Sequence, residues 1–156
     1  MSVRDATRGD VSTIADLAAR KREQYAEYNP VFHNPAADAR EQHAAFIADL
    51  IDTDDAISLV YDDDGVVRGF AIGTLIDAPP VYDPGGKTCV IDDFMVDEPD
   101  AWVSVGRALL DAVSEVARTR GAAQIVVVCG PDDTPKRTML TAGGCTVVTE
   151  WFTKPI

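Results

Sequence analysis

The residues with the greatest chemical potential lie in one stretch, Val90–Leu110, which reads VIDDFMVDEPDAWVSVGRALL. The pattern predicts a β-strand that ends at Val96, a short turn, and a helix that begins near Val103 with Gly106 in its first turn. The first N–H groups of a helix have no partner within the helix, and the positive end of its dipole lies there. The stretch therefore indicates either a site that holds a phosphate or an ordinary strand-to-helix turn.

The same stretch resembles the acyl-CoA motif of the GNAT N-acetyltransferase superfamily, which has the form E-D-L-x-V-x-P-x-x-R-G-x-G-x-G-x-x-L-L. The alignment needs no gaps, and the order of elements also matches the family across nearly the whole chain. The matching positions run from the acidic pair of the motif to the leucines of its helix: Asp92, Asp93, Phe94, Val96, Gly106, Leu109 and Leu110.

Three positions depart from the family motif. Ala101 stands where the family has Arg or Gln, Trp102 stands at a common glycine, and Ser104 replaces the middle glycine. Ser104 keeps a small side chain and a hydroxyl that can donate to a phosphate. Trp102 either covers the pantetheine arm of the donor or packs against the next helix, and we favour packing.

The resemblance implies a site for acetyl-CoA as acyl donor, with no metal. Three basic residues near it are candidates for neutralising phosphate charge, or else they are solubilising charges at helix ends. The implied donor-binding residues are Phe94, Met95, Val96, Val103, Ser104, Val105, Gly106, Arg107, Ala108, Lys136 and Arg137.

In the mechanism that the resemblance implies, an amine attacks the thioester directly, without a covalent enzyme intermediate. An amine with a pKa near ~10 is mostly protonated at neutral pH, so a base must first remove a proton. Asp92 holds the matching position and Asp93 is the alternate, and strand alternation predicts that only one faces the acceptor cleft. A purely structural role for both is the other interpretation. The resemblance assigns the oxyanion donor to the backbone N–H of Met95 or Val96.

The proton donor for the departing thiolate is missing from its usual position. Family members usually carry Tyr four residues before the glycine that ends the last helix, and that position is Leu140 here. Leucine cannot donate a proton. Three alternatives stay open: the thiolate leaves through water, another Tyr approaches, or the chain does not catalyse acetyl transfer.

The resemblance places acceptor selection in the first helical pair and in the loop before the motif strand. Aromatic residues beside acids would suit an amine with an apolar portion. The ordinary alternative is that these aromatic residues belong to the core and that the histidine is a loop residue. The candidates are Tyr25, Tyr28, Phe32, His33 and Tyr82.

The elements that must position these residues follow from periodicity and turn signals. We predict strands at Ser2–Thr7, Ala56–Tyr61, Val66–Ile76, Thr88–Val96, Gln124–Cys129 and Thr146–Thr153, and helices from Val11 to before Asn29 and at Ala37–Ile51, Val103–Arg120 and Thr134–Ala142. This order predicts an α/β (α+β) fold, in which helices flank both faces of a mixed sheet. The resemblance implies that the central sheet is GNAT-like and mostly antiparallel.

Two strands near the C-terminus carry further expectations. Gln124–Cys129 is nearly all Val and Ile, which is typical of a strand covered on both faces. Thr146–Thr153 alternates as a closing strand, and family members often have two such strands where this chain has one. A second copy would protect the open edge, so we predict a homodimer.

Composition limits the remaining function classes. The 156 residues contain no linker or repeat, so we expect one domain spanning residues 1–156. The formal charge of −12 disfavours nucleic acid and favours a cationic acceptor. No apolar run approaches the ~20 residues that span a bilayer, and the N-terminus has no leader pattern, so we expect a cytoplasmic protein without a membrane partner.

The three cysteines, Cys89, Cys129 and Cys145, are widely spaced. We interpret them as small buried residues rather than zinc ligands, because the chain has no CxxC pair.

The sequence thus predicts an acyl-CoA-dependent N-acyltransferase that moves an acetyl group to a small amine or a peptide amine. A non-catalytic GNAT-like module that binds acyl-CoA or a protein is the second hypothesis. A general α+β ligand-binding domain is the third.

Overall fold

The computed structural model describes residues 2–156. The described strands are β1 (Ser2–Asp5), β2 (Ala56–Asp63), β3 (Val66–Ile76), β4 (Lys87–Val96) and β5 (Ala122–Val127). The described helices are α1 (Val11–Tyr28), α2 (Ala39–Ile51), α3 (Val105–Thr119) and α4 (Thr134–Ala142), with short 3-10 helices at Arg8–Asp10 and Pro99–Val103. No helix among the described residues is both long and apolar enough to cross a bilayer.

The five strands form one sheet in the order β1-β2-β3-β4-β5. Neighbouring strands are antiparallel except β4 and β5, which are parallel because α3 crosses over between them. The β2–β3 hairpin turns at Asp64 and Gly65, both with positive φ, as the sequence Asp-Gly predicts. The mostly antiparallel mixed sheet confirms the predicted fold class.

Each face of the sheet carries one pair of helices and one apolar cluster. On one face, Ile14 and Leu17 of α1 and Ile47 of α2 pack against Val60 and Phe70. On the other face, the apolar stripe of α3 and the buried side of α4 pack against the opposite side chains of β2–β4. Helices therefore flank both faces, as the order of elements predicts.

The prediction for the C-terminal strand is wrong. Thr146–Thr153 forms no strand, and its side chains are exposed. The prediction that β5 is covered on both faces is also wrong, because every residue of β5 is at least partly exposed. An alternating pattern becomes a strand only when it pairs with an edge, and Thr146–Thr153 pairs with no described strand. β5 pairs only with β4 among the described strands, so it lies at an edge of the sheet and stays partly exposed.

Candidate functional site

A gap opens in the sheet beside the C-terminal half of β4. On the β5 side, pairing runs from Lys87 to Ile91 and ends with the bond from the Val128 N–H to the Ile91 carbonyl, at 3.1 Å. On the β3 side, the ladder continues to Val96. The last five residues of β4 therefore have no strand partner on one side within residues 2–156.

The direction of the backbone groups around the gap follows from one bond. The Asp97 N–H donates to the Arg68 carbonyl at 2.8 Å, so it faces the β3 side. Backbone groups alternate along a strand, so the Met95 N–H also faces β3, whereas the Phe94 and Val96 groups face the gap. The Phe94 carbonyl accepts a bond from across the gap, which agrees with this direction.

The side chain of Lys136 fills the gap. It is fully buried, and its ammonium nitrogen donates to the Val128 carbonyl at 2.9 Å and to the Phe94 carbonyl at 3.4 Å. The same nitrogen lies 5.3 Å from the Phe94 ring centroid and 5.4 Å from that of Trp102. The amine thus joins the two strands where their ladder has stopped.

Burial controls the charge of this amine. Removal from water lowers the pKa of Lys136 to about 7, and the charge of Lys21 adds to the decrease. Cys129, Asp133 and Asp92 oppose it. The charge of Asp92 therefore acts on the Lys136 amine, which lies in the gap.

The burial of Lys136 was not predicted. The sequence analysis gave it two interpretations, a cation that neutralises phosphate charge or a solubilising charge at a helix end, and the side chain lies inside the protein, so it is not a solubilising charge. The signal was present in the sequence, because Lys136 shares the helical spacing i, i+3, i+4 with Met139 and Leu140, which are buried.

The buried side chain of Trp102 packs against the first turn of α3 at Gly106. A Cβ added at Gly106 would lie 2.5 Å from Cε3 of that indole, so the glycine is required for this contact. The indole also meets the Phe94 ring edge-on, with centroids 4.9 Å apart. Of the two interpretations of Trp102, packing is the one that the structure supports.

The helix itself begins at Val105 rather than Val103, after the 3-10 helix Pro99–Val103. Val103 and Ser104 are exposed at this end, whereas Val105 is buried and Ala108 is half-buried. A shallow depression lies between α3 and α4, and Val103, Arg107, Thr138, Met139 and Ala142 line it. The exposed start of α3 faces solvent beside this depression.

The two arginines of the predicted donor site differ in their contacts. Arg107 donates to Asp111 at 3.0 Å and to the Ala142 carbonyl at 3.3 Å, so its charge is partly countered. Arg137 is exposed on α4.

The acidic pair lies at a β-bulge. Ile72 pairs with Asp93 and Gly73 pairs with Ile91, so Asp92 is an extra residue without a partner on β3. The expectation of simple alternation between the two acids is therefore wrong. Asp92 is exposed, and its carbonyl accepts a bond from Lys21 at 2.8 Å.

Asp93 is part of a chain of polar contacts. Its Oδ1 lies 3.1 Å from Nε2 of His43 on α2, and Nδ1 of His43 lies 2.6 Å from the Arg22 guanidinium of α1. A guanidinium can only donate, so Nδ1 accepts and Nε2 carries the hydrogen toward Asp93. Burial raises the pKa of Asp93, but the hydrogen bond from His43 and the charges of Lys21 and Arg22 lower it by more, so the net pKa lies below its ordinary value.

The sequence analysis missed His43 and Arg22. No local pattern marks them, because they meet Asp93 only after α1 and α2 pack on the sheet.

Four of the five predicted acceptor residues lie together. The Tyr25 ring is 5.3 Å from the rings of Tyr28 and His33, and Phe32 meets His33 edge-on at 4.8 Å. Burial and the charge of Lys21 lower the pKa of His33. The side chain of Asn29 organises this loop by accepting from the Val31 and Phe32 N–H groups.

Within this group, Tyr25 is a buried residue rather than an exposed one. Its hydroxyl donates to Asp133 at 2.7 Å and accepts from the Gly130 N–H at 3.1 Å, so it links α1 to the loop after β5. Burial raises the pKa of this hydroxyl, and Asp133 adds to the rise. The Tyr25 hydroxyl thus makes its hydrogen bonds within the protein rather than with an acceptor substrate.

Tyr82 does not join the other aromatic candidates. It is exposed and lines a shallow groove with Gln124, which pairs with Thr88. A strand rises about 3.3 Å per residue, so Thr88 lies about 13 Å along β4 from Asp92. The structure therefore separates Tyr82 from the acidic pair.

The cysteines are free thiols, with Cys89 buried and Cys129 and Cys145 half-buried. Burial raises the pKa of Cys89 to about 11, although the charge of Arg120 opposes the rise. Within residues 2–156, no group of three His, Cys, Asp or Glu residues has the arrangement of a metal site.

Comparisons with known proteins give one family and one fold. The family model described as "Acetyltransferase (GNAT) family" matches residues 20–141. No curated protein matches the chain significantly.

Solved structures share the fold over the whole chain. A mutant protein from Bacillus halodurans is 17% identical, with a TM-score of 0.88 over 100% of this chain and 99% of its own. A predicted acetyltransferase with acetyl-CoA from Clostridium acetobutylicum is 18% identical, with a TM-score of 0.75 over 99% and 95%. An aminoglycoside N-acetyltransferase in complex with CoA is 16% identical, with a TM-score of 0.70 over 99% and 93%. At these identities the likeness shows the fold.

Proposed function

The chain belongs to the GNAT acetyltransferase family, and on that premise we propose that it transfers an acetyl group from acetyl-CoA to a primary amine. The acceptor is a small amine or a peptide amine. The observation that carries the proposal is the gap beside β4, which leaves the Val96 N–H without a strand partner on the same strand that carries an exposed acid, Asp92.

The donor would lie along the gap and across the start of α3. The first amides of α3, around Val105 and Gly106, offer positive charge to the diphosphate, because they have no partner within the helix. Arg107 and Arg137 are the proposed cations near it. The exposed Ser104 hydroxyl is a further donor.

The proposed base is Asp92. It is exposed, and its charge acts on the gap, where the thioester carbonyl would lie. Asp92 takes a proton from the ammonium, directly or through water, and the free amine then attacks the carbonyl carbon. Asp93 is the weaker candidate, because His43 occupies its carboxylate and lowers its pKa.

The Val96 N–H is the proposed donor to the oxyanion. It faces the gap, whereas the Met95 N–H faces β3, so the two backbone candidates are no longer equivalent. When the tetrahedral intermediate collapses, the C–S bond breaks and the thiolate needs a proton.

Lys136 is the proposed source of that proton. Leu140, at the usual position of the family tyrosine, is buried and apolar. The Lys136 amine lies in the gap one helical turn earlier, and its pKa of about 7 suits a proton donor at neutral pH. The attacking nitrogen loses its second proton as the amide forms, and this proton would return to the Lys136 amine through water, while Asp92 releases the first proton to solvent.

The acceptor would approach from the cluster of Tyr28, Phe32 and His33, which lies beside Lys21 and the acidic pair. The formal charge of −12 would draw a cationic amine toward the protein. A cytoplasmic location stays a prediction.

The experiment has two stages. Calorimetric titration with acetyl-CoA is expected to show saturable heat below about 1 mM, the upper end of common KM values. Release of free CoA thiol is then followed with a panel of polyamines, aminoglycosides and peptides. We expect Asp92→Asn to lower kcat/KM by about 10²-fold or more.

The matched control is Asp64→Asn, which makes the same charge change in the β2–β3 turn. We expect it to keep full activity. Equal activity of Asp92→Asn and Asp64→Asn would refute the assignment of Asp92 as the base. The absence of heat at every acetyl-CoA concentration tested would refute acetyl-CoA as the acyl donor.

A second candidate is a non-catalytic module of this family that binds acyl-CoA or a protein. It is favoured by the Lys136 side chain, which fills the gap that the donor would need. Trp102, which stands at a common glycine of the family motif, packs against the start of α3 and also departs from a donor-binding motif. In this case Lys136→Ala would bind acetyl-CoA more tightly than the native protein. If Lys136 is instead the proton donor, the same variant keeps its affinity for acetyl-CoA and loses turnover.

A further inference from the structure

Two adjacent cations on α1, Lys21 and Arg22, differ from the basic residues that form ion pairs, and we call them the cation pair. The chain has 26 acidic and 14 basic side chains, so a cation away from any carboxylate is unexpected. Seven of the 14 lie within 4.0 Å of an Asp or Glu oxygen. Among residues 2–156, the cation pair makes no such contact, although both side chains are half-buried.

The cation pair donates instead to groups beside the acidic pair of β4. The Lys21 ammonium donates to the backbone carbonyl of Asp92 at 2.8 Å, and the Arg22 guanidinium donates to Nδ1 of His43 at 2.6 Å. Neither acceptor is a carboxylate. An ammonium has three N–H donors and a guanidinium has five, so both groups keep unused donors and an unmatched positive charge.

Lys21 lies where the parts of the proposed site meet. Its ammonium is 5.5 Å from the ring centroid of Tyr25, next to the aromatic cluster. Burial, and then the charge of Lys21, lowers the pKa of His33 in that cluster and the pKa of Lys136 in the gap. Salt screens a charge beyond about 10 Å, so Lys21 must lie near both groups as well as near Asp92.

The phosphates of the donor do not account for this positive charge. α1 and α2 pack on one face of the sheet, and α3 and α4 pack on the other. The proposed phosphate contacts, which include Arg107 and Arg137, belong to the helices of the second face. The cation pair belongs to the first face, together with His43 and the aromatic cluster, so it lies on the acceptor side.

On the basis of the proposed function, we propose that the acceptor is a small amine with an anionic group close to its nitrogen, as in an α-amino acid, and that Lys21 and Arg22 bind this anion. The anion is a carboxylate or a phosphate, since both accept charge-assisted hydrogen bonds from these groups. The acceptor ammonium lies at the Asp92 carboxylate.

The spacing within the acceptor follows from the bond between Lys21 and Asp92. Lys21 donates to the carbonyl of the same residue that carries the proposed base, so the cation and the base are neighbours. The amine and the anion of the acceptor must therefore be separated by only a few bonds. A polyamine has no anion, and the amine of a peptide N-terminus has an amide in place of the nearby carboxylate, so both are poorer acceptors.

The test compares acceptors that differ only in the anion. Release of free CoA thiol is measured with the standard amino acids and with their amides, which keep the amine and the side chain. Phosphoethanolamine and ethanolamine form the phosphate arm. We expect kcat/KM for the anionic member of the better pair to exceed that of the neutral member by about tenfold or more. The arm with the larger ratio identifies the anion.

The variant Lys21→Met removes the ammonium and keeps most of the side-chain volume. We expect it to bring the ratio between the anionic and neutral acceptors close to unity without changing KM for acetyl-CoA, and Lys21→Arg to restore part of the ratio. The control is Lys87→Met, which makes the same change at the start of β4. We expect this control to keep the native ratio.

Three results with an active chain would overturn the inference while leaving the proposed function intact. The first is equal or higher kcat/KM with the neutral member of every pair. The second is an unchanged ratio in Lys21→Met with lower activity toward both members, which would show that Lys21 only supports the Asp92 carbonyl. The third is an increase in KM for acetyl-CoA in Lys21→Met, which would show that the cation binds the donor.

Release of no CoA with any acceptor would instead refute the proposed function. Calorimetric titration of the chain with the same acceptor pairs, in the presence of CoA, then decides the inference. Tighter binding of the anionic member, lost in Lys21→Met and kept in Lys87→Met, would support it. Equal binding of both members, or no binding of either, would overturn it.

Discussion

The two sides of β4 differ in what completes their hydrogen bonds. On the β3 side, backbone pairs continue to Val96 and the ladder is interrupted only at the Asp92 bulge. On the β5 side, pairs stop at Ile91, and a side chain, Lys136, supplies the donors that a strand would have supplied. One side is therefore held by a repeating backbone pattern and the other by a single residue, so single substitutions should act unequally on them.

The largest expected effect comes from removing that residue. Lys136→Ala leaves a cavity, removes the donor to the Val128 carbonyl and leaves the buried Phe94 carbonyl without that donor, so we expect the free energy of unfolding to fall by about 3 kcal/mol. Lys136→Met fills most of the volume without burying an amine, so its loss should be below about 1.5 kcal/mol. Urea denaturation measures both. Equal losses for Ala and Met would show that the volume of the side chain does not matter there.

A smaller effect is expected where the gap meets α3. Gly106→Ala would place a Cβ 2.5 Å from the Trp102 ring, and neither group has room to move. We expect a loss of about 2 kcal/mol in thermal or urea unfolding. In Gly106→Ala/Trp102→Leu the added Cβ no longer meets an indole, so the two changes should cost less together than the sum of their separate costs. Simple additivity would contradict the proposed clash.

The charge of Lys136 predicts a pH effect on the β5 side. Its pKa is about 7 in the folded protein and about 10.4 in the unfolded chain, so between these values only the unfolded chain holds the proton. Stability should therefore rise with pH from about 7 to about 10, by roughly 1 kcal/mol per pH unit relative to Lys136→Met. Unfolding at a series of pH values measures this difference. A difference that is flat or falls with pH would show that the amine stays protonated.

The smallest effect is expected on the paired side of β4. His43→Leu removes the bond to Asp93, and we expect a loss of about 1 kcal/mol at pH 7. The folded pKa of Asp93 is lowered, so its stabilisation is present above the unfolded pKa of about 3.9 and is lost as the pH falls through the folded value. The variant and the native chain should therefore converge in acid. His43→Gln, which keeps an N–H donor, should recover part of the loss.

Much of the fold was predictable because its signals are local. The apolar stripe of α3 and the Asp-Gly turn of the β2–β3 hairpin depend on residues close in sequence, and both predictions agree with the structure. Thr146–Thr153 has an equally clear alternating pattern, yet it is not a strand. A helix makes its hydrogen bonds within itself, whereas a strand needs an edge that the sequence pattern does not supply.

The candidate site was predictable in part. The motif located the acidic pair and the helix start, since both lie in one continuous stretch. It did not locate His43, which contacts Asp93 from 50 positions earlier in the chain, or the burial of Lys136. Tyr82 was grouped with Tyr25 because the resemblance places acceptor selection in both of their regions, but Tyr82 lines a separate groove with Gln124.

The sequence by itself determined the helices, the first five strands along the chain and the stretch that carries the family motif. Only the tertiary structure decided that pairing stops at Ile91, that Lys136 fills the gap, and that Thr146–Thr153 forms no strand. The physical reason is that periodicity records which face of an element is apolar. It does not record which distant backbone or side chain will satisfy the polar groups left at its edge.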